Sequence, residues 1–253
     1  MVIKASGIVD VFSQPYERWS CREATDVEFS SCMSSGLHFA EAMYVQDTLE
    51  ANVTNPFQAA SSMLRTGVDN GLENHINWAL AQSAEYAALR RRMPQPDPDA
   101  LVAYQNKFTK EDMAAADIAI KQCGVTLADG QMLFHGGFWG HPVDTVITTS
   151  RPFSTSFCPQ VALRNAEWNA KAYNAGEINL MVVRVCQPQS KAYILSLDGE
   201  KGNEKEVVFA SGAKIRLVRK TFICNSKVYG NWSSSGGSPS KEVPAFVLDV
   251  NIS

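Results

Sequence analysis

Glu204-Lys205-Glu206 places two carboxylates two residues apart. In extended chain, residues i and i+2 face the same side about 7 Å apart, so Glu204 and Glu206 can point into one cleft while Lys205 points away. Two carboxylates sharing a cleft repel, and one of them can then have a raised pKa and act as a base. Taken alone, the run also fits an exposed sheet edge, because charge runs usually lie on solvated faces. Two other segments carry comparable content. Leu133-Phe134-His135-Gly136-Gly137 reads as a strand ending in a polar residue and two glycines, which would let backbone approach a ligand closely. Phe153-Ser154-Thr155-Ser156 precedes a helical pattern.

The elements that must position these segments change character near residue 130. Before it, Leu72, Ile76, Ala79, Leu80, Ser83 and Ala87 keep one small or apolar face at helical spacing. Arg90-Arg91-Arg92 closes that helix and reads as a solvated end, since cations suit a helix C-terminus. Pro94-Gln95-Pro96-Asp97-Pro98 is a breaker. A second helix is expected from Thr109, capped by its side chain, with Met113, Ala116 and Ile120 buried and Gly124 as its stop. After residue 130, strands are expected at Gln131–Phe134, Leu180–Val185, Ala192–Leu195, Glu206–Phe209, Lys214–Val218 and Ala245–Val250. Val161–Ala172 reads as one helix among them, and Ser233–Ser240 as a Gly/Ser-rich surface loop. Helices followed by strands indicate an α+β fold. The expectation is a single domain over 1–253, with a mainly helical N-terminal lobe (1–129) packed on a β-sandwich core (130–253).

Bulk properties narrow the function. The chain has 253 residues, 45% of them hydrophobic, and a formal net charge of −3. That balance gives no electrostatic reason to expect nucleic acid or an anionic membrane as partner. No stretch approaches eighteen apolar residues, and Met1–Asp10 lacks the apolar core of a secretory signal. The six cysteines show no C-x-x-C spacing and no flanking histidines, so no metal is expected and the thiols read as mostly reduced. The Asn-x-Ser/Thr triplets at Asn52, Asn231 and Asn251 read as chance.

Taken in order, the three chemical segments resemble the mono-ADP-ribosyltransferases of the cholera-toxin-like class. Those enzymes carry an aromatic-Arg-Gly strand, a Ser-Thr-Ser strand and a Glu-x-Glu strand. The resemblance spans roughly Thr109 to Val218 and implies an NAD-binding core of that family's type, with NAD as substrate. It implies that Glu206 bonds the nicotinamide ribose 2′-hydroxyl and stabilises the oxocarbenium-like cation formed as nicotinamide leaves. A positioned carboxylate can do this, as in glycoside cleavage. Glu204 would orient or deprotonate the acceptor, arginine by the Glu-x-Glu rule, and Ser154 would support Glu206 and the cleft wall. Thr155 and Ser156 continue that strand as NAD-binding candidates, with backbone bracing as their alternative role.

One position departs from the class: His135 stands where it has arginine. Phe134-His135-Gly136 is similar to the version found in the diphtheria-toxin-like and poly(ADP-ribose) polymerase group, where the histidine holds the adenosine ribose. The pyrophosphate then needs another cation, and Arg151 and Arg164 are the candidates. Phe138-Trp139-Gly140-His141 either lines the cleft or serves packing and surface. The implied protein is a secreted effector or toxin acting in a host cytosol on a target such as ubiquitin or a signalling protein. Arginine is the favoured acceptor and a threonine hydroxyl the alternative. Two other readings stay open: an NAD glycohydrolase, and a catalytically silent NAD- or protein-binding module.

Overall fold

The computed structural model describes residues 7–107, 109–232 and 237–253. Part of Met1–Asp10 (1–6) and part of the Ser233–Ser240 run (233–236) lie outside the described residues. The chain opens with β1 (Tyr16–Glu23), α1 (Asp26–Ser34), α2 (Phe39–Ala42) and β2 (Tyr44–Val53). Five helices follow: α3 (Pro56–Thr66), α4 (Asn70–Gln82), α5 (Ala84–Arg90), α6 (Asp99–Asn106) and α7 (Lys110–Cys123). The second half runs β3 (Met132–Gly136), β4 (Val146–Thr148), β5 (Phe153–Ser156), α8 (Pro159–Glu167), α9 (Lys171–Ala175) and β6 (Ile178–Val185). It ends with β7 (Ala192–Ile194), β8 (Glu206–Phe209), β9 (Lys214–Tyr229) and β10 (Ser240–Ile252).

The fold is α+β, as the order of patterns indicates. Eight strands hydrogen-bond in the order β4-β9-β10-β6-β3-β5-β8-β7, and every pairing is antiparallel except β10 with β6. The strand β6 is buried at every position but Arg184, as expected of a strand covered on both faces. On one face α3 lays Ala59, Ala60, Met63 and Leu64 against the sheet. The first half is not helical throughout, because β1 and β2 form a separate two-stranded antiparallel sheet.

Local chemistry explains most of the boundaries. Thr109 caps α7, its hydroxyl accepting from Asp112 N at 3.1 Å, and Ala116, Ala119 and Ile120 are buried. Gly124 ends the helix with an ordinary φ of −72°. A side chain there would stand 2.5 Å from the Ile120 carbonyl oxygen and 2.8 Å from that of Ala192, so close backbone approach explains this glycine, and a left-handed turn does not.

Three expectations need correction. The helix read across 72–87 is two helices, broken at Ser83, whose hydroxyl accepts from Tyr86 N at 3.1 Å and starts α5. A serine satisfies an orphan amide better as a cap than it serves a helix interior. The helix read across 161–172 stops at Glu167, because Asn169 (φ 53°) and Ala170 (φ 57°) turn left-handed before α9. Finally, Arg90 is not a solvated cation. It is buried, ion-paired with Asp97 at 3.0 Å, and donates to the Ile194 carbonyl. A guanidinium's five donors let it be satisfied away from water in this way. Arg91 and Arg92 are exposed.

Candidate active site

The sheet brings the three sequence segments onto neighbouring strands. The strand β3 pairs with β5 through Phe134 and Ser156, and β5 pairs with β8 so that Ser154 faces Val208 and Ser156 faces Glu206. His135, Ser154, Glu204 and Glu206 line one cleft, with Val161 and Asn165 of α8 as its wall. The cleft holds about 240 Å3 counted to its open mouth.

Glu206 is the most constrained group in the cleft. It is 7% exposed. Ser154 Oγ donates to its Oε1 at 2.5 Å and Gln105 Nε2 to its Oε2 at 3.0 Å. Burial raises its pKa above the ordinary carboxylate value. The Ser154 and Gln105 hydrogen bonds oppose that rise, the Glu204 charge adds to it, and Lys201 opposes it. Tyr104 lies within reach of the same charge; burial, then Glu206, pushes its hydroxyl up to about 12.

The Glu204–Glu206 segment is not extended. Gly202–Glu204 forms a single 3-10 turn, Lys205 is left-handed (φ 49°, ψ 42°), and β8 begins at Glu206. The two carboxylates reach one cleft through this bend and not through strand alternation. The turn is tight: a side chain on Gly202 would stand 1.8 Å from the Leu197 carbonyl oxygen. Lys205 points away from the cleft into the interior, 2% exposed. Its Nζ bonds Glu73 Oε1 and the Asn203 carbonyl, both at 2.8 Å. Glu73, on α4, also accepts from Gln160 Nε2 at 2.7 Å, which links the turn to α4 and α8. Glu204 is half-buried, and no hydrogen bond or ion pair engages its carboxylate among the described residues.

The two outer residues of Ser-Thr-Ser do different work. Ser154 meets Glu206, whereas Ser156 Oγ donates to the Glu204 carbonyl at 2.6 Å and pins the bend. Thr155 is buried, and its hydroxyl donates to the Val207 carbonyl at 2.7 Å across the strand pair. Both of these hydroxyls brace backbone.

His135 is half-buried at the end of β3. Its Nδ1 lies 2.6 Å from the Ser154 carbonyl and its ring packs on Phe153 at 4.4 Å between centroids. Burial pushes its pKa down to about 4; the Ser154 contact resists, and the Lys171 and Arg151 charges add to the fall. The ring is therefore neutral at pH 7. A carbonyl only accepts, so the proton sits on Nδ1 and Nε2 offers a lone pair. Gly137 leaves the space beside Nε2 open: a side chain there would stand 3.0 Å from that nitrogen. Gly136 has another reason to be glycine. A side chain on it would stand 1.6 Å from the Ala162 carbonyl oxygen, so it admits the backbone of α8.

Arg151 is exposed just before β5, and its charge reaches both His135 and Tyr104. Arg164 is exposed on α8, with no contact to these groups among the described residues. Trp139 is buried in the core and His141 stacks edge-on against it, which is packing. Gln105, Tyr104, Lys201 and Lys171 were absent from the sequence reading. They come from α6, from the turn before Glu204 and from α9, and nothing in their spacing relates them to the three motifs. All six cysteines are free thiols. Among the described residues, no group of three His, Cys, Asp or Glu is placed to hold a metal, and no helix is long and apolar enough to cross a membrane.

No protein-family model matches the chain, and no curated protein matches it. Several solved structures are similar. The enzymatic component C2-I of the C2-toxin from Clostridium botulinum is 10% identical, with a TM-score of 0.41 over 68% of this chain and 47% of its own. The ADP-ribosyltransferase Vis, solved with agmatine, is 15% identical, with a TM-score of 0.36 over 78% of this chain and 68% of its own. Exoenzyme S from Pseudomonas aeruginosa, solved with human 14-3-3 protein beta and carba-NAD, is 15% identical, with a TM-score of 0.33 over 75% of this chain and 78% of its own. The chain thus spans about half the length of C2-I.

Proposed function

We propose that the protein cleaves NAD and transfers its ADP-ribose to a side chain of a target protein. The observation that carries this reading is Glu206: a buried carboxylate held at both oxygens, in one cleft with a second carboxylate and a neutral histidine. A fixed negative charge in a water-poor cleft stabilises positive charge developing next to it without reorganising. In the proposed reaction the C1′–N bond breaks, and nicotinamide leaves as a neutral base with the bonding electron pair. The cation left on the ribose is stabilised by Glu206, which also accepts from the 2′-hydroxyl. His135, by its free Nε2, accepts from a hydroxyl of the adenosine ribose. The exposed Arg151 and Lys171, whose charges both reach His135, supply the cations for the pyrophosphate.

The acceptor's lone pair forms the new bond to C1′, and its proton passes to Glu204. The unpartnered Glu204 carboxylate suits that role. An arginine acceptor needs a carboxylate to hold the guanidinium and draw off a proton, and a hydroxyl acceptor needs a base. Arginine is the favoured acceptor.

Labelled NAD, incubated with the protein with and without host-cell lysate, tests the reading. We expect labelled lysate proteins, lost by at least about 100-fold with Glu206→Ala, and peptide mapping of the modified side chain as arginine. Nicotinamide release with no labelled protein assigns a glycohydrolase instead. Neither signal from the wild-type protein would sink both enzymatic readings and leave a binding module.

A further inference from the structure

Ser154 reaches Glu206 from the adjoining strand, but the second donor comes from the helical half of the molecule. Gln105 sits near the end of α6, which buries Leu101 and Tyr104 on its inner side. The Lys201 ammonium donates to the Gln105 carbonyl, which ties α6 to the turn bearing Glu204. One hydrogen bond to a carboxylate fixes one oxygen and leaves its plane free to rotate, whereas a donor on each oxygen fixes the plane. The Gln105 amide must present nitrogen to Glu206, because its oxygen would set two acceptors against each other.

We propose that Gln105 is a positioning residue for Glu206, holding the second carboxylate oxygen so that the plane is set and the charged form persists in a buried cleft. This rests on the reading of Glu206 as the cation-stabilising group. Facing Glu206 are Ser154 on β5, Gln105 and Tyr104 on α6, and Lys201 and Glu204 in the turn before β8. Burial and the Glu204 charge favour the protonated acid, while Ser154, Gln105 and Lys201 favour the carboxylate. Loss of the Gln105 donor moves that balance towards the acid.

The test uses Gln105→Met, which keeps length and apolar contact without a donor. Gln105→Ala, with the strongest intrinsic helix preference, is the second variant. Two readouts are needed: titration of the 13C-labelled Glu206 carboxyl by NMR, and nicotinamide release from NAD across pH. In both variants the carboxyl midpoint should rise by about one unit. The acid limb of kcat should move with it, a tenfold loss on that limb, while KM for NAD changes less than about threefold. Wild-type titration and kcat in both variants would overturn the proposal and leave the activity standing. A shifted midpoint in a protein that releases no nicotinamide supports Gln105 as the holder of Glu206 and overturns the catalytic reading of that residue.

Discussion

Glu73→Gln should be among the most damaging single substitutions outside the cleft. The Lys205 side chain has no exposed surface, and its ammonium has two acceptors, Glu73 Oε1 and the Asn203 carbonyl, both at 2.8 Å. Glutamine removes the carboxylate that pairs with Lys205 and turns an amide NH2 towards the NH2 of Gln160, which now donates to Glu73 at 2.7 Å. Breaking a buried pair from one side costs about 3–5 kcal/mol, because the remaining charge is uncompensated. Lys205→Met removes that charge at similar length. Glu73 would keep Gln160 and its 19% exposure, so the cost falls to about 1–2 kcal/mol, mostly the orphaned Asn203 carbonyl. The double variant should recover at least about 2 kcal/mol relative to the sum of the singles. Urea unfolding followed by circular dichroism measures all three. Additive singles, or a Glu73→Gln cost no larger than that of Lys205→Met, would refute the reasoning.

Three further outcomes follow from the geometry at the end of β3. His135 titrates near 4 in the folded protein against an ordinary 6.5, so below pH 6.5 the unfolded chain takes up the proton first. Stability should therefore fall as pH drops from 6.5 towards 4, by at most about 3 kcal/mol at roughly 1.4 kcal/mol per unit. The difference in unfolding free energy between wild type and His135→Gln should shrink over that range, and a constant difference would show that His135 carries no such linkage. Gly136→Ala drives a methyl group into the Ala162 carbonyl and should cost about 3 kcal/mol or more in chemical unfolding. Gly137→Ala, whose methyl meets the His135 ring, nearest at Nε2 (3.0 Å), should stay within about 1 kcal/mol of wild type and weaken NAD binding instead, read by calorimetry. A Gly136→Ala protein as stable as wild type would contradict the packing argument.

The fold class and the three chemical segments were legible because each is written in local pattern. The branched and aromatic residues of Glu206–Phe209, the apolar run of Leu180–Val185 and the capping Thr109 need no tertiary knowledge. The β1–β2 sheet was not legible. The pairing of Tyr16–Glu23 with Tyr44–Val53 is contacted on few sides, and its residues are mostly exposed, so no apolar stripe marks it. The bend at Lys205 was hidden for the opposite reason. A lysine between two glutamates looks solvated until Glu73, 132 residues away, is found to hold it in the interior. Arg90 misled in the same way, because Asp97 and the Ile194 carbonyl satisfy it from segments that helix periodicity does not reach. Gln105 could not be named from sequence at all, since its role depends only on where α6 docks.

The position of β10 bears on how the molecule assembles. Residues Ser240–Ile252 lie between β9 and β6 and pair in parallel with β6. Until they arrive, β6 presents a row of unpaired amides and carbonyls, and the strands carrying His135, Ser154 and Glu206 hang from that open edge. Parallel, non-local pairing is slow because loop closure precedes any gain from contact. Folding should therefore be limited by the insertion of this strand, and a chain stalled before it would expose an edge that recruits other strands and aggregates.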